Sequence, residues 1–219
     1  MLHIYTHGSP NGHKVTIALE ELGLPYEVKP VNVFAGEGQM PAFLALNPAG
    51  KIPVLHDTEH ELVLSESNAI LIYLADLAGR LLPASGRERT RAMELLFLQA
   101  SLQGPMFGQR SHFSLFGPEV VPYGIERYEQ QGDNFDALAE RLLACHPYFL
   151  GASYSVVDIA LFGWYHAAQR AGFAFTQHRA LSGWYERVAA RPAVQRGVTI
   201  PSGLPPASPT SGCKRRRSP

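Results

Sequence analysis

Short apolar runs alternate with helix-spaced apolar positions along the first part of the chain. Leu2–Thr6 has the length and composition of a strand. The next apolar positions recur at i, i+3, i+4 and i+7, the spacing of one helix face: Val15, Ala18, Leu19 and Leu22. A glycine at 23 and a proline at 25 end this helix. A second strand is predicted over residues 26–32 and a short helix over 41–46.

The pattern then predicts a hairpin and one more helix. Residues 52–56 and 61–64 are short apolar runs on either side of a polar stretch, which is typical of two antiparallel strands and their turn. A helix face that ends near Gly79 follows at Ile70, Tyr73, Leu74 and Leu77. The order βαβαββα predicts a small α/β sheet with helices on its faces.

Beyond this unit the apolar spacing is helical, with almost no strand pattern. A long helical stretch covers residues 87–109, although Gly104 and Pro105 should bend or interrupt it. A second long stretch covers residues 118–145. These patterns predict an all-α part after the α/β part.

The chain therefore divides into four predicted parts. An α/β domain covers residues 1–79, a linker 80–86, an all-helical domain 87–200 and a tail 201–219. The tail is rich in Pro, Ser and Gly and contains Leu204 as its one large aliphatic residue. It cannot bury enough apolar surface to offset the entropy of ordering, so we expect disorder there.

The stretch "YSVVDIALFGWY" carries a specific folding signal. Ser155 is a helix N-cap candidate, and Asp158 stands three residues on, where a capping box has its reciprocal partner. The apolar residues that follow, up to Trp164, cover most of the helix circumference, which predicts a helix buried near the centre of the domain.

Charge and composition exclude several classes of partner. The net charge of the 219 residues is zero, but Lys214 and three arginines at 215–217 leave −4 on residues 1–200, which argues against nucleic acid as the main partner. No apolar window is long enough to span a membrane, and the first residues lack a secretory pattern. Cys145 and Cys213 suggest no disulfide framework. We expect a cytoplasmic protein that does not act at membranes.

Polar residues begin three elements that a βαβαββα unit can bring to one edge of its sheet. The stretches are Ser9-Pro10-Asn11-Gly12, Lys51-Ile52-Pro53-Val54 and Ser65-Glu66-Ser67-Asn68. A cis Ile52–Pro53 bond would turn the Ile52 backbone outward, where an extended peptide could pair with it. Glu66 suits an ammonium group, and Ser67 with the N–H groups of a helix start suits a carboxylate. A ligand with an α-amino-carboxylate at one end and a peptide in its middle would satisfy all three stretches.

That combination resembles the glutathione transferase superfamily, whose ligand is glutathione. "NPAGKIPVL" followed by "LSESNAILIYLA" is similar to the family's glutathione-binding signature, and "YSVVDIA" is similar to its folding motif. "SPNGHKVTIALEEL", "QGPMFGQ" with "HF", and "VPYGIERY" resemble its nu class, a bacterial group related to the yeast nitrogen-regulation prion protein. The resemblance covers nearly all of residues 1–200. It implies a thioredoxin-like N-terminal domain followed by an all-helical domain.

The resemblance also implies roles for individual residues. Ser9 and Asn11 would face the glutathione sulfur, where an amide donates to a thiolate but cannot act as a base. Gln39 would contact the glycyl end, Ile52 would pair through its backbone with the cysteinyl part, and Glu66 and Ser67 would hold the γ-glutamyl end. Lys51, facing a carboxylate of the ligand, and Pro53 are further glutathione-binding residues, and Arg127 would reach the site from the partner subunit. The class therefore implies a homodimer. The class often has Thr where this chain has Ser9, which retains the hydroxyl, and Gly where it has Asn68.

Each assignment has a structural alternative that the sequence leaves open. Ser9 and Asn11 also suit a helix cap and a turn, and Glu66 suits an acidic first turn. Three residues have the character of ordinary surface positions: Gln39, Lys51 and Arg127. The histidines at 3, 7 and 13 lack the spacing and the companions of metal ligands, so no metal is expected.

The activity that the resemblance implies is glutathione-dependent thiol–disulfide exchange, extending to organic hydroperoxides. A glutathione thiolate stabilised by Ser9 and Asn11 would attack a small disulfide, and a second glutathione would resolve the mixed disulfide. Two alternatives remain open. The same thiolate could conjugate an electrophile, or the fold could bind glutathione as a regulatory protein without turnover.

Overall fold

A four-stranded mixed sheet forms the N-terminal part of the computed structural model, which describes residues 1–202. In spatial order the strands are β2 (Tyr26–Pro30), β1 (Leu2–Thr6), β3 (Val54–Asp57) and β4 (Leu62–Ser65). The β1–β2 pair is parallel and the other two pairs are antiparallel. β3 begins two residues later than predicted, because Pro53 has no N–H for the ladder.

Two α-helices and two 3₁₀ turns connect the strands, and a third α-helix follows β4. The helices are α1 (Pro10–Leu22), α2 (Pro41–Leu44) and α3 (Ser67–Ala78), and the 3₁₀ turns are Val33–Ala35 and Glu37–Gln39. Ser9 is the N-cap of α1, and its side chain accepts the Gly12 N–H at 3.1 Å. Gly23, with φ of 68°, is the C-cap. The predicted glycine stop is therefore a left-handed C-cap.

Six further α-helices form the rest of the described chain. They are α4 (Gly86–Leu98), α5 (Gly104–Ser111), α6 (Pro122–Leu143), α7 (Val156–Arg170), α8 (Arg179–Ala189) and α9 (Pro192–Gly197). π-helical turns occupy Gln99–Gln103 and His112–Phe116. Pro105, which has no N–H to offer the preceding turn, lies in the first turn of α5 directly after one of them. The predicted all-α architecture of this part is confirmed, and so is the interruption at Gly104.

α7 lies at the centre of the helical part and begins with the predicted capping box. Asp158 is fully buried. One of its carboxylate oxygens accepts the N–H and hydroxyl of Ser155, at 2.9 and 3.0 Å. The other accepts the Phe149 N–H at 3.1 Å and the Trp184 indole N–H at 2.9 Å. One carboxylate thus fixes the start of α7, the preceding loop and α8.

α1 joins the sheet to the helical part. Thr16 donates its hydroxyl to the Gly197 carbonyl at 2.7 Å, in a buried contact. A Cβ atom at Gly163 would lie 2.6 Å from the Pro10 carbonyl oxygen, and one at Gly197 would lie 2.6 Å from the Ile17 Cα. The backbones of α7 and α9 therefore approach α1 more closely than any residue with a side chain allows.

The predicted disordered tail lies, from residue 203 onward, outside the described residues. Among residues 1–202, no helix has both the length and the apolar character required to cross a membrane. Over the same range, no group of three His, Cys, Asp or Glu side chains is arranged to hold a metal ion.

Candidate functional site

A cavity of about 250 Å³ lies where α1, α3 and α7 meet the π-helical turn before α5. We call it the central cavity. Its lining includes Asn11, Lys14, Glu66, Ser67, Gln99 and Trp164. Three of the predicted site residues, Asn11, Glu66 and Ser67, thus line one cavity. Lys14, Gln99 and Trp164 join them from outside the predicted set.

The first turn of α1 presents two hydrogen-bond donors to this region. The Ser9 hydroxyl oxygen accepts the Gly12 N–H, so its own proton is available for another acceptor. Asn11 accepts the Trp164 indole N–H on its amide oxygen at 3.0 Å, and its Nδ2 group makes no hydrogen bond within residues 1–202. Both residues are half-buried. An anion at this position would also meet the positive end of the α1 dipole.

The start of α3 supplies a carboxylate and a hydroxyl. Glu66 is the exposed N-cap residue, and its φ of 68° and ψ of 109° are unusual for a residue other than glycine. Strained backbone of this kind collects at ligand-binding positions. Ser67 follows at the first helical position and is buried. The pair matches the predicted contacts for an ammonium group and a carboxylate.

Lys14 forms a hydrogen-bonded array beneath Ser67 that the sequence analysis missed. It is only 2% exposed, and its ammonium donates to Ser67 Oγ and Asn68 Oδ1, both at 3.2 Å, and to Gln99 Oε1 at 2.6 Å. Burial lowers the pKa of Lys14 to about 7, against an opposing electrostatic effect of Glu66. The pattern of apolar and polar residues along α1 did not predict that Lys14 is buried, because lysine is normally a surface residue.

The turn before β3 has the cis proline geometry that would leave the Ile52 main chain free to pair with a peptide. The Ile52–Pro53 bond is cis, and no hydrogen bond within the described residues uses the Ile52 main chain. Asn47, which is buried, holds the turn by donating its amide to the Lys51 carbonyl at 2.7 Å. The Lys51 side chain itself is exposed and Pro53 is buried.

Gln39 and Arg127 lie away from the central cavity. Gln39 is exposed at the end of a 3₁₀ turn, where its amide nitrogen packs so closely against Gly50 that a Cβ there would overlap it. Arg127 is exposed on α6. An open groove of about 520 Å³ runs along that helix, with Glu126, Glu129 and Asp133 in its lining. That acidic lining does not suit an anionic ligand.

Two sequence signatures match the two parts of the fold. Residues 8–77 match the N-terminal domain of glutathione S-transferase, and residues 122–187 match its C-terminal domain. A curated relative, the disulfide-bond oxidoreductase YfcG of Escherichia coli, is 37% identical over 203 residues, which cover 90% of this chain and 94% of that protein.

Solved structures show the same architecture. A glutathione transferase homologue from Lodderomyces elongisporus, determined with two glutathione molecules per subunit, superposes with a TM-score of 0.87 at 36% identity, covering 91% of this chain and 98% of that one. A glutathione transferase from Pseudomonas putida, with one glutathione disulfide per subunit, superposes with a TM-score of 0.84 at 32% identity, covering 91% of both chains. From these similarities and the mixed sheet joined to a helical part, we conclude that this chain belongs to the glutathione S-transferase superfamily.

Proposed function

We propose that this protein is a cytoplasmic, glutathione-dependent thiol–disulfide oxidoreductase of the nu class. The observation that carries the proposal is the Asn11 amide, whose oxygen is held by Trp164 so that its N–H donors are left for a ligand at the start of α1. Cysteine is absent from this turn, so the reacting sulfur must come with the ligand. YfcG, a disulfide-bond oxidoreductase by name, supports the same activity.

Glutathione would lie along the edge formed by the three predicted stretches. Its sulfur would face Ser9 and Asn11, and its cysteinyl main chain would pair with Ile52, whose N–H and carbonyl are unused. Its γ-glutamyl ammonium and carboxylate would meet Glu66 and Ser67. Its glycyl end would reach Gln39 on the exposed turn.

Pro53 and Lys51 would complete the binding edge, Pro53 by shaping the turn at Ile52 and Lys51 as an exposed cation near the peptide. Asn47 would keep this turn in place through its bond to the Lys51 carbonyl. The structures with bound glutathione or its disulfide support a ligand of this class.

The chemistry needs a glutathione thiolate and no protein sulfur. Hydrogen bonds from Ser9 and Asn11 and the α1 dipole would lower the pKa of the bound thiol. The thiolate attacks one sulfur of a small disulfide, forms a mixed disulfide and releases the other half as a thiolate. A second glutathione thiolate attacks the mixed disulfide, which gives glutathione disulfide and the second thiol of the substrate. Organic hydroperoxides are a further proposed class of substrate.

The proposed assembly is a homodimer of two-domain subunits, with residues 80–86 linking domains 1–79 and 87–200. Phe97 and Tyr123 expose about 70% of their surface on α4 and α6, and apolar side chains exposed to this degree suit a protein interface. Arg127 lies one helical turn after Tyr123, on the same face of α6. It would therefore reach the partner's site across that contact.

The test is reduction of hydroxyethyl disulfide by the purified protein with glutathione. We expect turnover, and Asn11→Ala should lower kcat/KM by about tenfold or more, because a bond to a charged acceptor is lost. Gln195→Ala, at an exposed amide on α9, is the matched control. An aryl halide measured beside the disulfide separates reduction from conjugation. Glutathione binding without turnover of either substrate would refute the enzymatic proposal in favour of a regulatory role.

A further inference from the structure

The Lys14 ammonium has one acceptor for each of its N–H groups. An ammonium group has three N–H bonds, and Ser67, Asn68 and Gln99 supply one acceptor oxygen each. The amide group of Asn68 donates in turn to Gln99 Oε1 at 2.9 Å and to the Leu96 carbonyl at 2.8 Å. The array thus ties α1 and α3 to the segment that joins α4 to α5. A neutral amine would have two donors for these three acceptors.

The array also directs the Ser67 hydroxyl. Because Ser67 Oγ accepts from Lys14, its own proton is left to donate elsewhere, and Ser67 lines the central cavity. Gln99 Nε2 is buried and has no hydrogen-bond partner within residues 1–202. The region around the ammonium therefore contains more donors than acceptors, which is the arrangement that a carboxylate of a ligand completes.

Few charges balance the buried ammonium. Glu66, at the start of α3, is the charged group that raises the pKa of Lys14, and its side chain is exposed. The π-helical turn contributes the Gln99 amide, and α7 contributes Gly163 and the Trp164 indole. On α1 itself the neighbour His13 is held neutral near pH 7, since burial lowers its pKa to about 4.

We propose that Lys14 is a positioning residue of the glutathione site, and that it takes up a proton when the γ-glutamyl carboxylate binds at Ser67. The proposal rests on the proposed placement of glutathione. The ligand carboxylate adds a negative charge beside the array, and a nearby negative charge favours the ammonium form of lysine. Binding and protonation of Lys14 therefore strengthen each other.

The pKa of about 7 for Lys14 places this exchange in an accessible range of pH. Near neutral pH part of the free protein carries a neutral Lys14, and binding converts that part to the ammonium form. Well below neutral pH the ammonium is already present, so binding takes up no proton there. The uptake should thus rise with pH from acid to neutral conditions.

The experiment is calorimetric titration of the full-length protein with S-methylglutathione, which has no thiol proton to release. The binding enthalpy is measured in phosphate and in Tris, and its dependence on the ionisation enthalpy of the buffer gives the number of protons taken up. We expect about half a proton per site at about pH 7.5 and close to none at about pH 5.5.

Two variants assign the proton to Lys14. Lys14→Met should weaken binding by about tenfold and abolish proton uptake. Lys14→Arg keeps a charge at every pH, so it should abolish the uptake and bind more tightly than Lys14→Met. The arginine variant also covers the case in which the methionine variant fails to fold. Lys29→Met, which changes a partly exposed lysine on β2, is the control and should retain the wild-type uptake.

The outcomes separate this inference from the proposed function. Binding of S-methylglutathione by the wild-type protein without proton uptake overturns the role of Lys14 and leaves the proposed function in place. Uptake that persists in Lys14→Arg also overturns it, since another group would then carry the proton. Absence of any binding overturns the proposed function, and the inference falls with it.

Discussion

Trp164 donates its indole N–H to the Asn11 amide oxygen at 3.0 Å, across the contact between α7 and α1. An indole nitrogen can only donate, so the accepting atom must be the oxygen, and the amide nitrogen is left for a ligand. A residue of the helical part thereby fixes the direction of a donor in the sheet part. The proposed sulfur site is complete only when the two parts are docked.

Trp164→Phe should release the Asn11 amide while keeping an aromatic ring in place. We expect kcat/KM for hydroxyethyl disulfide to fall about tenfold, because one oriented hydrogen bond is lost. The pKa of the bound glutathione thiol, followed by thiolate absorbance in the ultraviolet, should rise. A thiol pKa equal to that of the wild-type complex would show that the indole does not orient the donor.

Gly163→Ala should force α7 away from α1. The new Cβ would lie 2.6 Å from the Pro10 carbonyl oxygen, and backbone atoms cannot move aside as a flexible side chain can. We expect a loss of about 1–3 kcal/mol in the free energy of unfolding, together with reduced activity. Gly183→Ala is the control, since its Cβ would meet no heavy atom within 4 Å in helix α8. It should be neutral or stabilising by up to about 1 kcal/mol, as measured by denaturant unfolding.

Asp158→Ala should cost more stability than Ser155→Ala, although both belong to one capping box. Removing the carboxylate leaves the Phe149 N–H and the Trp184 indole N–H buried without acceptors, which should cost about 3 kcal/mol or more. Removing the Ser155 hydroxyl takes away a cap worth about 0.5–2 kcal/mol. Urea unfolding of both variants gives the comparison, and equal losses would contradict the bridging role of Asp158.

His13 and His166 should make the fold sensitive to acid. Their ring centroids lie 6.1 Å apart, and burial lowers the pKa of each to about 4, below the ordinary value near 6.5. The folded state favours the neutral rings, so their contribution is fully present above about pH 6.5 and is lost as the pH falls towards 4. We expect a loss of about 3 kcal/mol from His13 over that interval and a smaller one from His166, which is partly exposed.

The measurement is the free energy of unfolding as a function of pH. His13→Asn with His166→Asn should flatten the curve between about pH 6.5 and 4, because neither replacement titrates. A curve for the double variant that is as steep as that of the wild-type protein would assign the acid sensitivity to other groups.

The parts of the fold that could be predicted are those encoded over a few neighbouring residues. The helix spacing after Ser9, the Gly23 stop and the Ser155–Asp158 box are local patterns, and the structure contains all three. The strand pattern predicted the correct order of elements but not their ends. Pro53 has no N–H for the ladder of β3, and this does not change the apolar pattern around it.

The rest of the site depends on contacts between residues far apart in the sequence. Lys14 is not part of the apolar face predicted for α1, so its side chain is expected in solvent. Its burial follows from Ser67 and Gln99, which come 53 and 85 residues later. Trp164 follows the apolar pattern of α7 and gives no sign that its N–H reaches Asn11. Asn68, noted only as standing where related chains have Gly, joins two helices through the same array.

α1 contributes both to the ligand site and to the contact with the helical part, which restricts the substitutions that it can accept. Its first turn carries Ser9 and Asn11, its middle carries Lys14, and its far half is fastened to α9 through Thr16 and Gly197. One helix thus carries binding-site residues and also joins the two parts of the molecule. A substitution that alters the packing between the two parts will also shift the residues that contact the ligand. Evolution or design therefore has to optimise the contact between the parts and the ligand site together.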